Sequence, residues 1–242
     1  MKRHATRLLG LVVLCTLALQ LQFLARIAAM ALVDPRSTTF QRSEIWRLAV
    51  EKRRVDWSQQ WRPYERLGEP IRRAVIASED AGFADHGGVE WDALEAAWER
   101  NQRAEARAGR APPGRPPPRT RLVGGSTITQ QLAKNLFLSG ERNLARKGQE
   151  FVLTLMLEGL LSKRRILEIY LNHVEWGEGL FGAQAAARHY FRTDADRLDA
   201  YQAARLAVML PAPKRFEKRP ASPYVLDRAA TVAARMGAVE LP

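Results

Sequence analysis

Gly124-Gly125-Ser126-Thr127-Ile128-Thr129-Gln130-Gln131-Leu132-Ala133-Lys134-Asn135 is the stretch on which the fold turns. Two glycines precede a pair of hydroxyls. Thr127 followed three residues later by Gln130 has the form of a capping box, which satisfies backbone N–H groups that the first turn of a helix leaves open. Ile128, Leu132 and Leu136 then recur on one face, and Thr127, Gln131 and Lys134 on another. The spacing predicts a capped amphipathic helix over 127–138. The same helical pattern returns at 146–161, 165–173, 183–191 and 198–210, where Pro211 and Pro213 end the run. Upstream, 71–84 and 91–107 read the same way. Few stretches alternate as strands do, and Ala, Leu, Arg and Glu dominate, so the expected fold is mostly α.

The chain has 242 residues, of which 46% are hydrophobic, enough for one domain with a core plus an appendage. Its net charge of +12 implies an anionic partner: nucleic acid, an anionic membrane surface or a phosphorylated substrate. Cys15 is the only cysteine, so there is no intrachain disulfide and no cysteine-based zinc site. Residues 8–25 carry no charge, with Lys2, Arg3 and Arg7 before them and Arg26 after. As a helix this run covers roughly 27 Å against a hydrocarbon core of about 30 Å. It reads as a retained anchor whose basic flank keeps the N-terminus in the cytoplasm and sends the rest outside. The alternative is a cleaved signal peptide, with Ala29-Met30-Ala31 as the small-residue cut site. Residues 1–33 are thus the cytoplasmic tip and anchor, 34–56 a connecting stretch and 57–242 the domain. Trp46, Trp57, Trp61 and Tyr64 read first as core aromatics, with a place at the membrane interface as the alternative for some of them. Removing 1–33 is expected to leave a folded domain that meets a lipid substrate poorly. The segment 108–121 holds five prolines and four arginines and reads as an extended basic loop.

Several groups of residues offer chemistry, each with a plainer account beside it. Ser126, Thr127, Gln131, Lys134 and Asn135 put hydroxyls, amides and a cation at a helix N-terminus, a surface suited to phosphate. The plain account is an ordinary capped surface helix. In Glu79-Asp80-Ala81-Gly82-Phe83-Ala84-Asp85-His86-Gly87-Gly88, a continued helix stacks Glu79, Phe83 and His86 on one face. Beside Val75, Ile76 and Phe83, the Glu79 carboxyl has surroundings that raise a pKa and suit a proton acceptor. The plain account is a solvated acidic turn. Arg146 and Glu150 are four apart, an intrahelical ion pair worth a few tenths of a kcal/mol. Glu150 also opens an apolar run, and a buried carboxylate needs a partner or a job. Gly177-Glu178-Gly179-Leu180-Phe181-Gly182 matches a dinucleotide fingerprint, but the segment before it reads as helix, so the strand–turn–helix context is missing. His173 and His189 lack metal-ligand spacing, and no Ser-x-x-Lys of a penicillin-binding transpeptidase occurs.

Four motifs stand in order: Glu79-Asp80-x-x-Phe83-x-x-His86-x-Gly88; Gly125-Ser126-Thr127-Ile128-Thr129-Gln130-Gln131-x-x-Lys134-Asn135; Arg146-Lys147-x-x-Glu150; and Lys163-x-x-Ile166-Leu167-Glu168-x-Tyr170-Leu171-Asn172. Together they resemble the signature of the peptidoglycan glycosyltransferases, glycosyltransferase family 51, over about 57–224, most closely the monofunctional members with one N-terminal anchor. The departure from the pattern is the long Pro/Arg-rich stretch between the first two motifs. The resemblance implies a lysozyme-like helical domain with a small lobe against the membrane, and a periplasmic domain on a cytoplasmic-membrane anchor. The implied reaction joins lipid II into β-1,4 glycan with release of undecaprenyl pyrophosphate, by inversion in one displacement. By resemblance Glu79 is the general base and Glu150 assists at the pyrophosphate or orients the cations there. Lys134, Arg146, Lys147 and Lys163 meet the pyrophosphate, while Ser126, Thr127, Gln131 and Asn135 line the donor site. Asp80, Phe83 and His86 complete the first motif at the substrate site. The implied partners are lipid II, the growing lipid-linked glycan, membrane lipids and other cell-wall synthesis or division proteins, with no nucleic acid. Mg2+ or Mn2+ bridging the pyrophosphate suits that chemistry, but the sequence shows no dedicated metal site. A lytic hydrolase of the same fold and an anchored non-enzymatic scaffold are the rival readings.

Overall fold

The computed structural model describes residues 2–91, 95–96, 99, 102–103, 126–138, 140 and 143–242. In chain order they form α1 (Lys2–Ala29), α2 (Thr39–Arg47), β1 (Ser58–Gln59), α3 (Glu69–Glu79), α4 (Ile128–Phe137), α5 (Leu144–Leu160), α6 (Lys163–His173), β2 (Glu175–Gly177), β3 (Leu180–Phe181), α7 (Ala183–Phe191), α8 (Ala200–Met209), α9 (Pro213–Phe216) and α10 (Pro223–Arg235). The expected mostly helical domain is what is found. The box that starts α4 is present in both directions: the Thr127 hydroxyl accepts from the Gln130 N–H, and the Gln130 side chain accepts from the Thr127 N–H. Asn143 caps α5 and Ser162 caps α6 in the simpler, one-sided way.

The core has two connected parts. On one side α3 lies against α8, and α8 against α10; on the other α4 packs on α5, α2 and α6. Ile71, Val75, Leu132, Leu136, Leu153, Leu157, Ile166 and Leu206 are shut off from solvent. Each such side chain contributes roughly 1.5–3 kcal/mol by leaving water. A small sheet in the order β1-β3-β2 packs on α7 and α9, with β1 parallel and β2 antiparallel to β3. The glycine-rich 177–182 segment is therefore the β2–β3 hairpin. Gly179 has φ +72°, and a Cβ there would meet the Asp56 carbonyl oxygen at 2.0 Å, so the glycine serves close backbone approach and not a pyrophosphate.

Three expectations need correction. The helix expected over 71–84 ends at Glu79, because Asp80 leaves helical geometry (φ −164°, ψ 73°) when its carboxylate is taken by other elements. Glu79, Phe83 and His86 consequently do not share a helical face. The connecting stretch contains α2, begun by a capping box of Thr38 and Gln41. Of the four aromatics read as core, Tyr64 is buried and Trp61 packs on the core, whereas Trp46 is 73% exposed. Positions 91, 95, 96, 99, 102 and 103 are helical; the rest of the expected 91–107 helix and the 108–121 loop lie outside the described residues.

α1 has the length and apolarity to cross a membrane over Arg3–Ala29. Its C-terminal end is also part of the domain. Ile27 is fully buried and Met30 nearly so, and the Phe23 ring meets Phe137 edge-on at 5.3 Å. The Arg165 guanidinium donates to the Met30 carbonyl at 2.7 Å and pairs with Asp34 at 2.7 Å. Gln20 and Gln149 exchange side-chain amide hydrogen bonds of 2.8 and 3.1 Å, which gives a polar group in an apolar run its partner. Removing 1–33 is thus expected to do more than untether the domain. Losing the buried Ile27 and Met30 should lower stability by about 3–5 kcal/mol, while removal of 1–18 should leave the melting temperature of detergent-purified protein within about 2 °C of the full chain. Equal melting of both truncations would contradict the docking of α1 on the core.

Candidate active site

The first two motifs are held together by Asp80. Its Oδ2 accepts from the Ile128 backbone N–H at 2.9 Å, at the positive end of α4, and its Oδ1 pairs with His86 Nε2 at 2.7 Å. His86 Nδ1 accepts from the Gly88 N–H at 3.0 Å, and the Gly88 carbonyl accepts from the Thr127 hydroxyl at 2.6 Å. Phe83 is fully buried beneath this loop. Asp80, Phe83, His86 and Thr127 are therefore the clip that fixes the end of α3 against the start of α4. None of the four lines the cavity described below.

That clip sets Glu79 beside α4. Gln131 Nε2 donates to Glu79 Oε2 at 3.0 Å, and the buried Tyr170 hydroxyl donates to Gln131 Oε1 at 2.9 Å. Burial pushes the Glu79 carboxyl above its usual range; the Gln131 hydrogen bond opposes that, the neighbouring Asp80 charge adds to it, and Lys134 acts against it. A carboxyl whose pKa is raised is a stronger base than an ordinary one, as a proton acceptor needs.

Gln131 also lines a cavity of about 500 Å³, with Ser126, Lys134 and Asn135 from the α4 segment and Arg146, Lys147 and Glu150 from α5. Seven of the residues named from the sequence are thus brought to one place. Glu150 is 3% exposed and carries two cations: Arg146 donates to Oε2 at 2.9 Å, and Lys147 pairs with Oε1. One carboxylate against two cations leaves the trio with a net positive charge, and the buried Arg146 Nε–H has no hydrogen-bond acceptor among the described residues. With Lys134 on the same cavity, the arrangement suits a polyanion such as a pyrophosphate.

Lys163 is placed elsewhere. Its Nζ pairs with Glu158 at 2.9 Å and sits 4.5 Å from the centroid of the Phe83 ring, where it ties α6 and α5 to the clip. Thr129 donates to the same Glu158 oxygen at 2.5 Å. The sequence offered no signal for Glu158, since its partners lie on other elements. A metal does not fit the protein groups well. Among the described residues the one trio of candidate ligands is Asp80, His86 and Glu90, and the first two already carry the clip's hydrogen bonds. A divalent ion at a pyrophosphate would draw its ligands from phosphate oxygens and water.

Glu175 also lines the cavity and lies outside the four motifs. It is 7% exposed, its Oε1 has no hydrogen-bond partner among the described residues, and Lys214 at 3.4 Å is already held by Glu44 at 2.6 Å. Burial raises its pKa to about 7, with Lys214 opposing and Glu44 adding. In an unfolded chain the group titrates near 4.5, so between about pH 4.5 and 7 the folded state holds the proton that the unfolded state has lost. Stability from this group is present below 4.5 and is lost as pH rises to 7. Glu175→Gln should therefore stabilise the protein by up to about 3 kcal/mol at pH 8 and by little at pH 4.5. Denaturant midpoints at the two pH values check this, and an equal effect at both would contradict it.

A half-buried carboxylate joined to a cavity of cations, on a helical domain whose first helix can span a membrane, fits a glycosyltransferase. The chain belongs to the transglycosylase family: the family model described as Transglycosylase matches residues 48–237. It is similar to a biosynthetic peptidoglycan transglycosylase of Burkholderia thailandensis, 53% identical over 226 residues, covering 93% of this chain and 83% of that protein. Proteins of the same description from Paraburkholderia xenovorans and Bordetella pertussis are each 50% identical, covering 96% and 95% of this chain and 91% of each relative.

Proposed function

We propose that this protein polymerises lipid II into β-1,4-linked glycan on the outer face of the cytoplasmic membrane. The observation that carries the reading is the hydrogen-bonded junction between Glu79 and the cation-lined cavity through Gln131. The acceptor sugar hydroxyl gives its proton to Glu79 as its oxygen attacks the donor's anomeric carbon. The bond from that carbon to the phosphate oxygen breaks, and undecaprenyl pyrophosphate leaves with the electron pair. Lys134, Arg146 and Lys147 balance the charge gathering on the leaving group, each charge-assisted hydrogen bond contributing roughly 1.5–3 kcal/mol. Glu150 holds two of those cations in place. One displacement turns an α-linked donor into a β-linked product, so neither carboxylate forms a covalent intermediate.

The N-terminus is cytoplasmic and the domain periplasmic in this reading, because Lys2, Arg3 and Arg7 precede the span. The burial of Ile27 and Met30 favours a retained anchor over a cleaved signal peptide, since a cut at 29–31 would remove core residues. Purified full-length protein incubated with lipid II should yield polymer. Cut glycan from preformed strands would instead mark a lytic hydrolase, and salt-sensitive DNA binding without turnover an anchored scaffold.

A further inference from the structure

Gln131 is the hinge of the site. It lines the cavity, yet its amide is engaged on both sides by protein. Tyr170, on α6, is 1% exposed and donates to Oε1 at 2.9 Å, which turns Nε2 toward Glu79 Oε2 at 3.0 Å and the Ser126 carbonyl at 3.4 Å. Both groups that Nε2 meets are acceptors. The opposite orientation would set the amide oxygen against a carboxylate and a carbonyl, with nothing to donate between them. We infer that Tyr170 is a positioning residue for the reaction: its hydroxyl anchors the Gln131 amide at Oε1 while Glu79 and the Ser126 carbonyl take Nε2, and so holds the amide where it donates to that carboxylate. This rests on Glu79 being the base.

Burial, with the Glu79 and Asp80 charges, raises the phenol well above its usual pKa, so Tyr170 stays a donor throughout the working range. The other charged groups acting on Glu79 are Asp80 at the end of α3 and Lys134 on α4, and both are retained in the variants below. A carboxylate that loses the Gln131 N–H loses a bond favouring its charged form, so its pKa rises further.

The test uses full-length enzyme turning over lipid II. Tyr170→Phe removes one oxygen from a buried ring and should lower kcat by about tenfold, leave KM within about twofold, and move the acid limb of the kcat–pH profile to higher pH. Gln131→Leu should move the limb the same way. In a Gln131→Leu background, Tyr170→Phe should lower kcat by less than about twofold more, because the two groups act as one unit. A limb that stays in place in Tyr170→Phe, or losses that multiply in the double variant, overturns the inference. If Tyr170→Phe does not fold, Tyr170→Met takes its place, and a limb that stays where the wild type has it overturns the inference. Glu79→Gln measured alongside separates the two claims. Turnover retained there removes the base assignment itself. An inactive Glu79→Gln with a wild-type profile for Tyr170→Phe removes only the positioning role.

Discussion

Replacing Glu79 with Gln should lower turnover by about 10²–10⁴-fold, the usual contribution of a positioned general base, while the variant still binds the lipid-linked donor. The swap keeps the side chain's shape and lets the new amide oxygen accept from Gln131 Nε2, as Glu79 Oε2 does at 3.0 Å. It also removes a carboxyl that burial holds above its usual range, so melting temperature should be unchanged or slightly higher. If Glu79 were a structural ion-pair partner, the same swap would lower the melting temperature and spare catalysis. Turnover, donor binding and thermal melting on one preparation distinguish these. An active variant sinks the assignment.

Lys134→Ala should cut turnover by roughly 10–150-fold, the rate equivalent of one charge-assisted hydrogen bond to the leaving pyrophosphate. Lys134 is exposed on α4 and lines the cavity, so its truncation should change the fold little. Arg146→Ala should lose at least as much activity but at a cost in stability. Among the described residues it leaves the 3% exposed Glu150 with Lys147 as its remaining ion-pair partner, and a buried carboxylate short of a cation is expensive. A stable, weakly active Lys134 variant beside a less stable, weakly active Arg146 variant is the expected pattern. Near-normal polymerisation by Lys134→Ala would remove the pyrophosphate role of that helix.

Much of the helical framework was legible because its signals are local. Thr127 and Gln130 are three residues apart and make their box in the expected way, and 8–25 declares its apolarity residue by residue. The α3 boundary was misread because what ends it is not local. Asp80 leaves the helix to cap α4, whose first N–H belongs to a residue 48 positions away. The anchor's buried end was missed for a related reason: Ile27 and Met30 look no different from the lipid-facing residues before them until Phe137 and Arg165 are beside them.

The amino-acid order alone determined that this is a helical domain behind an apolar helix, and which carboxylates and cations its motifs carry. Periodicity, capping and charge spacing act within a few residues and survive without any tertiary contact. Only the folded chain decided what those motif residues do. Asp80, Phe83, His86 and Thr127 became a clip, and Lys163 a strut on Glu158 and Phe83. Lys134, Arg146, Lys147 and Glu150 came to share one cavity, with Gln131 turned toward Glu79 by Tyr170. The contacts that join them across the site, Asp80 to Ile128, Gly88 to Thr127, Glu79 to Gln131 and Gln131 to Tyr170, link elements tens of residues apart and are set by how α3, α4 and α6 pack, which no spacing along the chain encodes.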